Sequence, residues 1–515
     1  MRVLYNTCVA DPFVYVAKQM EKEYGFEAVY WIGYDNDGSE DLVQKLLPNA
    51  CYHPWRDAWK AIFPSDVAAK VESEHLDIDL LRENALNELL AMKMMDRLDG
   101  DRYSFNFMER ERHYLKLFRG WMACFDLYKP DIVVTGVNPH RIYDYVLYIV
   151  CKYRKVPFVS FQHTLCPQRT FCTNGIFTVG DTFDKSLEHY LSIAGSLTKE
   201  DLSEEIRLPY EKVVKDYSEA IPVYMKQHNV DNRKNANLFY LAKKGLTKYS
   251  ILNRKDKTLS KGELSLKKRN ISLEKSRFSL FDMASMRISA IKYKKELSKL
   301  YNSLVSLPVE NEKYILFPLH YQPEESTSPS GDIFVNQLLA VDAILNNTPE
   351  DYYIYVKEHP QSFQNHLSGH KSRIKEFYTD LISSKRVRLM PLEMNTYQLM
   401  QGAKAVTTIT GTVGWEAVMH KLPVIIFGFV WYEKMPGVLR ITDSKSATGI
   451  MSFIENYKFD EHNVLAYLKA YQDNTVYAYH YFGQKETTNI DTEACADTLA
   501  KYLKDRLVGF LGDVE

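Results

Sequence analysis

Short apolar runs alternate with segments of helical spacing over most of this chain. Arg2–Thr7 reads as a buried strand, Pro12–Tyr24 as an amphipathic helix and Ala28–Ile32 as a second strand. Such a β-α-β rhythm predicts a parallel sheet covered by helices. Charged, breaker-poor helical pattern fills about residues 54–128. Asp131–Thr135, a turn, a helix over 141–153 and Pro157–Phe161 then repeat the rhythm. It returns later with strands at Tyr314–Phe317, Tyr352–Lys357, Arg386–Leu389, Ala405–Ile409 and Pro423–Phe427, and with helices at Asp332–Leu345 and Gly411–His420. An amphipathic helix over Thr492–Leu507 closes the chain.

The pattern divides the sequence into a Rossmann-like domain at 1–225 with a helical insertion, a linker or insert at 226–309, a second Rossmann-like domain at 310–480 and a helical segment at 481–515. The fold class expected is α/β, with two doubly wound domains facing each other across a cleft and a partly helical insert between them.

Composition narrows the picture. The 515 residues are 45% hydrophobic and 25% charged, as in ordinary globular proteins. Net charge is −1, but Asp231–Lys299 holds 19 Lys/Arg against 6 Asp/Glu. That run is either a solvated linker or a contact for an anionic membrane surface, where each basic residue contributes about 1 kcal/mol. Nothing in the pattern points to a nucleic acid. The seven cysteines are scattered with no C-x-x-C pair, as in a reduced cytoplasmic protein. The opening strand does not read as a signal peptide, and no window approaches the ~20 apolar residues of a membrane span. Asp77 and Asp79 lie in a charged helical stretch, and Asp35–Gly38 reads as a turn, so neither forms a metal loop.

Ligands of doubly wound sheets bind beyond the carboxyl ends of the strands. Three segments there are unusually polar. Phe317–Thr327 brings His320, Gln322, Glu324 and Ser326 after a strand. Lys357–Pro360 brings Glu358 and His359. Thr408–Ala417 brings Thr410, Gly411, Thr412, Gly414 and Glu416 into a strand–turn–helix. Such a turn presents unpaired N–H groups, and glycine lets a phosphate approach. Together these residues form an expected nucleotide site. In the first domain Asn138, His140, Arg141 and Gln162 also follow strands and would meet an acceptor across the cleft. His163 and Asp11 are the candidates for a general base.

Pro318–Ser326, Glu358-His359-Pro360 and Thr410–Ala417 resemble the signature of bacterial capsule polysaccharide biosynthesis proteins, a family that includes Kdo transferases. His359-Pro360 and the Thr410–Thr412 turn are also similar to bacterial sialyltransferases and polysialyltransferases. The likeness covers the 310–480 domain, and the first domain only through Gln162-His163. It implies a GT-B fold and a glycosyltransferase moving a Kdo- or sialic-acid-like sugar from a CMP donor to a glycan or lipid-linked glycan. It implies that His359 and the Thr410–Thr412 turn hold the phosphate, with no cofactor and no required metal. The acidic-acidic-Gly motif of the sialyltransferases and a carboxylate nucleophile are not found, which leaves the base and stereochemistry open. UDP and other nucleotides stay compatible. The alternatives are a sugar-nucleotide epimerase or hydrolase of the same fold, or a non-enzymatic assembly or export component.

Overall fold

The computed structural model describes residues 1–8, 11–34, 39–72, 75–99, 102–103, 105–162, 164, 166, 168–215, 280–486 and 488–512. His163 and residues 216–279 lie outside them. The first sheet contains β1 (Arg2–Asn6), β2 (Glu27–Gly33), β3 (Cys51–Pro54), β4 (Ile132–Thr135), β5 (Phe158–Gln162) and β6 (Arg169–Asn174). The second contains β7 (Lys313–Pro318), β8 (Tyr352–Lys357), β9 (Val387–Leu389), β10 (Ala405–Thr408), β11 (Val424–Ile426) and β12 (Val438–Arg440). Its order is β12-β11-β10-β7-β8-β9, parallel throughout. The strand order reverses between β7 and β10, so a crevice opens beyond Pro318 and Thr408. In the first sheet the reversal falls between β1 and β4, where Asn6 pairs with Thr135.

In the first unit, α1 (Pro12–Tyr24) starts with proline at its first position and ends at Gly25, whose φ of 73° is the left-handed cap. It lays Phe13, Val16, Ala17 and Met20 on one face of the sheet. The opposite face is covered by α2 (Phe107–Tyr128) and α3 (Tyr143–Arg154), through Leu117, Phe118, Trp121, Val146 and Val150.

The hydrophobic contacts then cross between units. α4 (Asp181–Ser192) and α5 (Glu204–Lys215) bury Phe183, Leu187, Ile206, Tyr210 and Val213 in the core of the second unit. α6 (Leu280–Leu304), at the end of the expected linker, buries Leu297 and Tyr301 on the second sheet. Two residues of the basic run therefore turn toward protein: Lys294 is 2% exposed and Arg287 half-buried. The helix expected over Asp332–Leu345 is split. A 3-10 turn, Asp332–Val335, precedes α7 (Gln337–Asn346), because the Asn336 side chain accepts from the Leu338 N–H and caps a new helix there. α8 (Val413–Met419) follows β10, and α9 (Glu461–Asn474) packs Val464, Leu465, Leu468 and Tyr471 into the same core of the second unit. The chain finally returns to the first. β13 (Val476–Tyr477) pairs antiparallel with β6, and α10 (Thr492–Gly512) packs on α1. Cys495, Leu499, Leu503 and Leu507, four residues apart, form its buried stripe. Where the segments cross, Arg169 holds Thr475 Oγ1 at 2.7 Å, Gln472 O at 2.7 Å and Glu205 at 2.6 Å.

Candidate functional site

The three polar segments of the second unit converge at the strand-order reversal, and the histidines show how they are organised. His320 follows β7. Its Nε2 accepts the Thr410 N–H at 3.1 Å and lies 2.9 Å from Thr408 Oγ1, which itself accepts the Gly411 N–H at 3.0 Å. A ring nitrogen that accepts a backbone N–H is unprotonated, so the proton of the neutral ring is on Nδ1. His359 follows β8 and has the opposite tautomer. Its Nδ1 accepts the Gln361 N–H at 3.2 Å, leaving the proton on Nε2. Neither Nδ1 of His320 nor Nε2 of His359 has a partner among the described residues, and neither is sealed from solvent. Burial, the largest cause, holds His320 at about 3 and His359 at about 4. Both rings are therefore neutral N–H donors near pH 7, and His359 further opposes the charging of His320.

Several expected ligands instead support the loops. Glu358 is 0% exposed. Its oxygens accept Arg373 Nε at 2.7 Å, Tyr378 Oη at 2.7 Å, Ser362 Oγ at 3.0 Å and the His359 N–H at 2.7 Å. A carboxylate so enclosed orients His359 and does not meet a ligand. Gln322 is also buried, with its amide engaged by Thr327, Val335, Gln337 and Arg373. The Thr410 hydroxyl donates to Ser326 O, which ties the β10 turn to the β7 loop. Gly414 is packed where the Tyr432 ring occupies the space of a Cβ. At Gly411 a Cβ would sit 2.7 Å from Thr408 Oγ1 and 3.3 Å from His320 Cε1, so this close approach requires glycine. Thr412 is exposed and bonds Glu416 at 3.4 Å. Ser326 reaches Glu324 at 3.4 Å. α8 has only seven residues, so its dipole adds little to what the side chains and turn supply.

Across the cleft, Asn138 and Gln162 pair amide to amide at 2.6 and 2.8 Å and brace the β4 loop against β5. His140 Nδ1 is 2.8 Å from Asn138 O and so donates to it, which leaves Nε2 as a bare acceptor. Burial lowers this ring to about 4. Glu325 of the second unit stands 3.8 Å from His140 Nδ1. Arg141 lies over the Trp55 ring at 4.4 Å, with Trp59 stacked 5.5 Å away and Tyr34 edge-on at 5.7 Å. Tyr34 and Trp55 immediately follow β2 and β3, and sequence reasoning missed both. Their position after strands was the available signal. It also missed Asp144, which is buried and shapes the loop by accepting the N–H groups of His140, Arg141 and Tyr145. Asp11 is not part of this grouping. It is half exposed, ion-paired with Lys485, and lines a separate cavity of about 310 Å³ with Tyr15, Asp491 and Glu493. Among the described residues no group of three or more His, Cys, Asp and Glu is placed to hold a metal ion, and no helix is long and apolar enough to cross a membrane.

Two doubly wound α/β units, joined by segments that cross between them and with polar loops at the switch point, define a GT-B-like α/β fold. Residues 224–476, just under half of the chain, match the family of capsule polysaccharide biosynthesis proteins. It is 32% identical over 94 residues to the capsule polysaccharide modification protein LipA of Neisseria meningitidis serogroup A, a stretch that is 18% of this chain and only 12% of LipA. Among solved structures, the beta Kdo 2,4 transferase of Thermosulfurimonas dismutans KpsC is 18% identical, covering 35% of this chain and 55% of that one with a TM-score of 0.23. UDP-GlcNAc 2-epimerase from Methanocaldococcus jannaschii is 12% identical, covering 89% and 94% with a TM-score of 0.24. At these scores the fold description rests on the strand topology itself.

Proposed function

We propose that this protein is a glycosyltransferase of capsule or surface polysaccharide assembly. In this reading it moves a Kdo- or sialic-acid-like sugar from a CMP donor to a glycan or lipid-linked glycan. The observation that carries the reading is the pair of neutral imidazoles at the switch point, each fixed in one tautomer by a backbone N–H and each presenting its remaining N–H outward. Two oriented donors of this kind suit a phosphate whose charge grows as the sugar leaves, and preorganised donors are worth most where charge develops. The leaving phosphate is then met by His320, His359 and the Gly411–Thr412 turn without a metal ion. On the facing side, Tyr34 offers a partly exposed ring to an acceptor sugar, with Trp55 buried behind it. His140 Nε2 offers a lone pair for the acceptor proton, the role for which the sequence offers His163 and Asp11. The basic segment at 231–299 would keep the enzyme at the cytoplasmic face of the membrane, where lipid-linked acceptors are built.

Calorimetry with CMP, UDP and GDP, on the wild type and His359→Ala, tests the donor site. CMP is expected to bind, with roughly tenfold or greater loss in the variant for a buried-site donor of about 1.5–3 kcal/mol. Preferential UDP binding would discard the CMP-sugar assignment and keep the site. No binding of any nucleotide would sink the donor reading.

A further inference from the structure

Beyond His359 the chain runs through two 3-10 turns, Pro360–Phe363 and Gly369–Lys371, and α6 packs along both. Positive charge collects at this seam. Lys294 on α6 uses all three ammonium protons on the carbonyls of Gln364, Asn365 and Leu367, at 2.8, 3.0 and 2.8 Å. Seven residues earlier on the same helix, Arg287 is half-buried, and among the described residues it has no hydrogen bond or ion pair. Arg102 arrives from the first unit and lays its guanidinium over Tyr293 of α6 at 4.1 Å, with its Nε buried and unpartnered. Lys371 donates to Arg97 O at 3.2 Å, which also joins the two units.

His370 sits among these four cations. It is only 8% exposed, and both ring nitrogens are buried without a partner among the described residues. Its protonation is opposed first by burial and then by Lys294, Lys371, Arg102 and Arg287. An imidazole buried with both nitrogens unsatisfied forfeits the hydrogen bonds it would make in water. The cations around it repel one another and any charge on the ring. Both costs reverse if an anion enters, since it accepts the imidazole N–H and is shared by the guanidinium groups.

We propose that Arg102, Arg287 and His370, backed by Lys294 and Lys371, form an anion subsite for a phosphate or carboxylate group of the glycan acceptor. The assignment to the acceptor rests on the glycosyltransferase reading; the anion site itself does not. The donor phosphate is already served by His320 and His359. Arg102 belongs to the unit that carries the acceptor loops, and Ser368, two residues before His370, bonds Tyr321 Oη at 2.7 Å, so the subsite adjoins the donor crevice. Because the seam is built from both units, anion binding there also favours their closed arrangement.

The test is a calorimetric titration of inorganic phosphate into the full chain, the double variant Arg102→Gln/Arg287→Gln and His359→Ala. The expected result is a saturable phosphate site that weakens roughly tenfold or more in the double variant and persists in His359→Ala, as loss of charge-assisted bonds predicts. Unchanged phosphate affinity in the double variant overturns the proposal. Arg102→Lys/Arg287→Lys separates charge from folding: it should recover much of the affinity, and a failure to do so at unchanged thermal midpoint counts against the site. Competition against phosphate by pyrophosphate or by an acidic hexasaccharide assigns the group to a lipid diphosphate or a sugar carboxylate. Competition by neither overturns the acceptor assignment. Phosphate behaviour as expected with no nucleotide bound would leave the subsite standing and remove the donor reading.

Discussion

At the residue scale, the histidines define the chemistry available. His320, His359, His140 and His370 are all pushed below the usual imidazole value, with burial the largest cause in each. In the unfolded chain each titrates near ~6.5. From there down to about 4 the unfolded state binds more protons than the folded one. The stability tied to each neutral ring is therefore complete above about pH 6.5 and falls as the pH drops below it, by roughly 1 kcal/mol per pH unit for each such group. Urea midpoints at pH 7 and pH 5 should show this loss, and His320→Gln should flatten it; equal pH dependence in the two proteins would show that His320 does not titrate as described. The residues carrying this chemistry were legible in sequence because polar side chains cluster after buried strands. Which of them face a ligand was not legible. Glu358 and His359 are neighbours, yet one is enclosed by Arg373, Tyr378 and Ser362 while the other presents an N–H. Only packing distinguishes them.

At the element scale, periodicity identified α1 with its observed bounds and placed most strands of both sheets within a residue or two. It did not reveal β3, β6, β12 or β13. β6 carries Arg169, Thr170, Thr173 and Asn174 among its six residues, and its burial comes from β5 and from the returning C-terminal chain rather than from local pattern. The C-terminal helix was visible as a stripe, but its destination was not. α10 closes the core of the first unit, so Leu503→Ala there should cost about 2–5 kcal/mol, the range for emptying a fully buried leucine site. A shift in the urea midpoint measures it, and a negligible shift would mean that α10 is detached in solution.

At the scale of the whole molecule, helices that cross between the cores join the two units, and polar links tie the loops that flank the cleft. Arg97 donates to His140 O of the first unit and to Ser328 O of the second, so it spans the loops that flank the cleft. Arg97→Ala should open the cleft. A larger radius of gyration by small-angle X-ray scattering is expected, with CMP affinity changed less than about threefold, since no donor-site residue is lost. An unchanged radius would show that closure is held elsewhere. Sequence by itself determined two doubly wound halves and the loops that carry chemistry, because hydrophobic period and turn residues are local properties of the chain. The tertiary structure alone decided that α4, α5 and α6 belong to the second core and α10 to the first. It also decided the tautomers of three site histidines and the gathering of Arg102, Arg287 and His370 at one seam. Those outcomes depend on contacts between residues hundreds of positions apart, such as Arg169 with Thr475 and α1 with α10, and no local pattern records them.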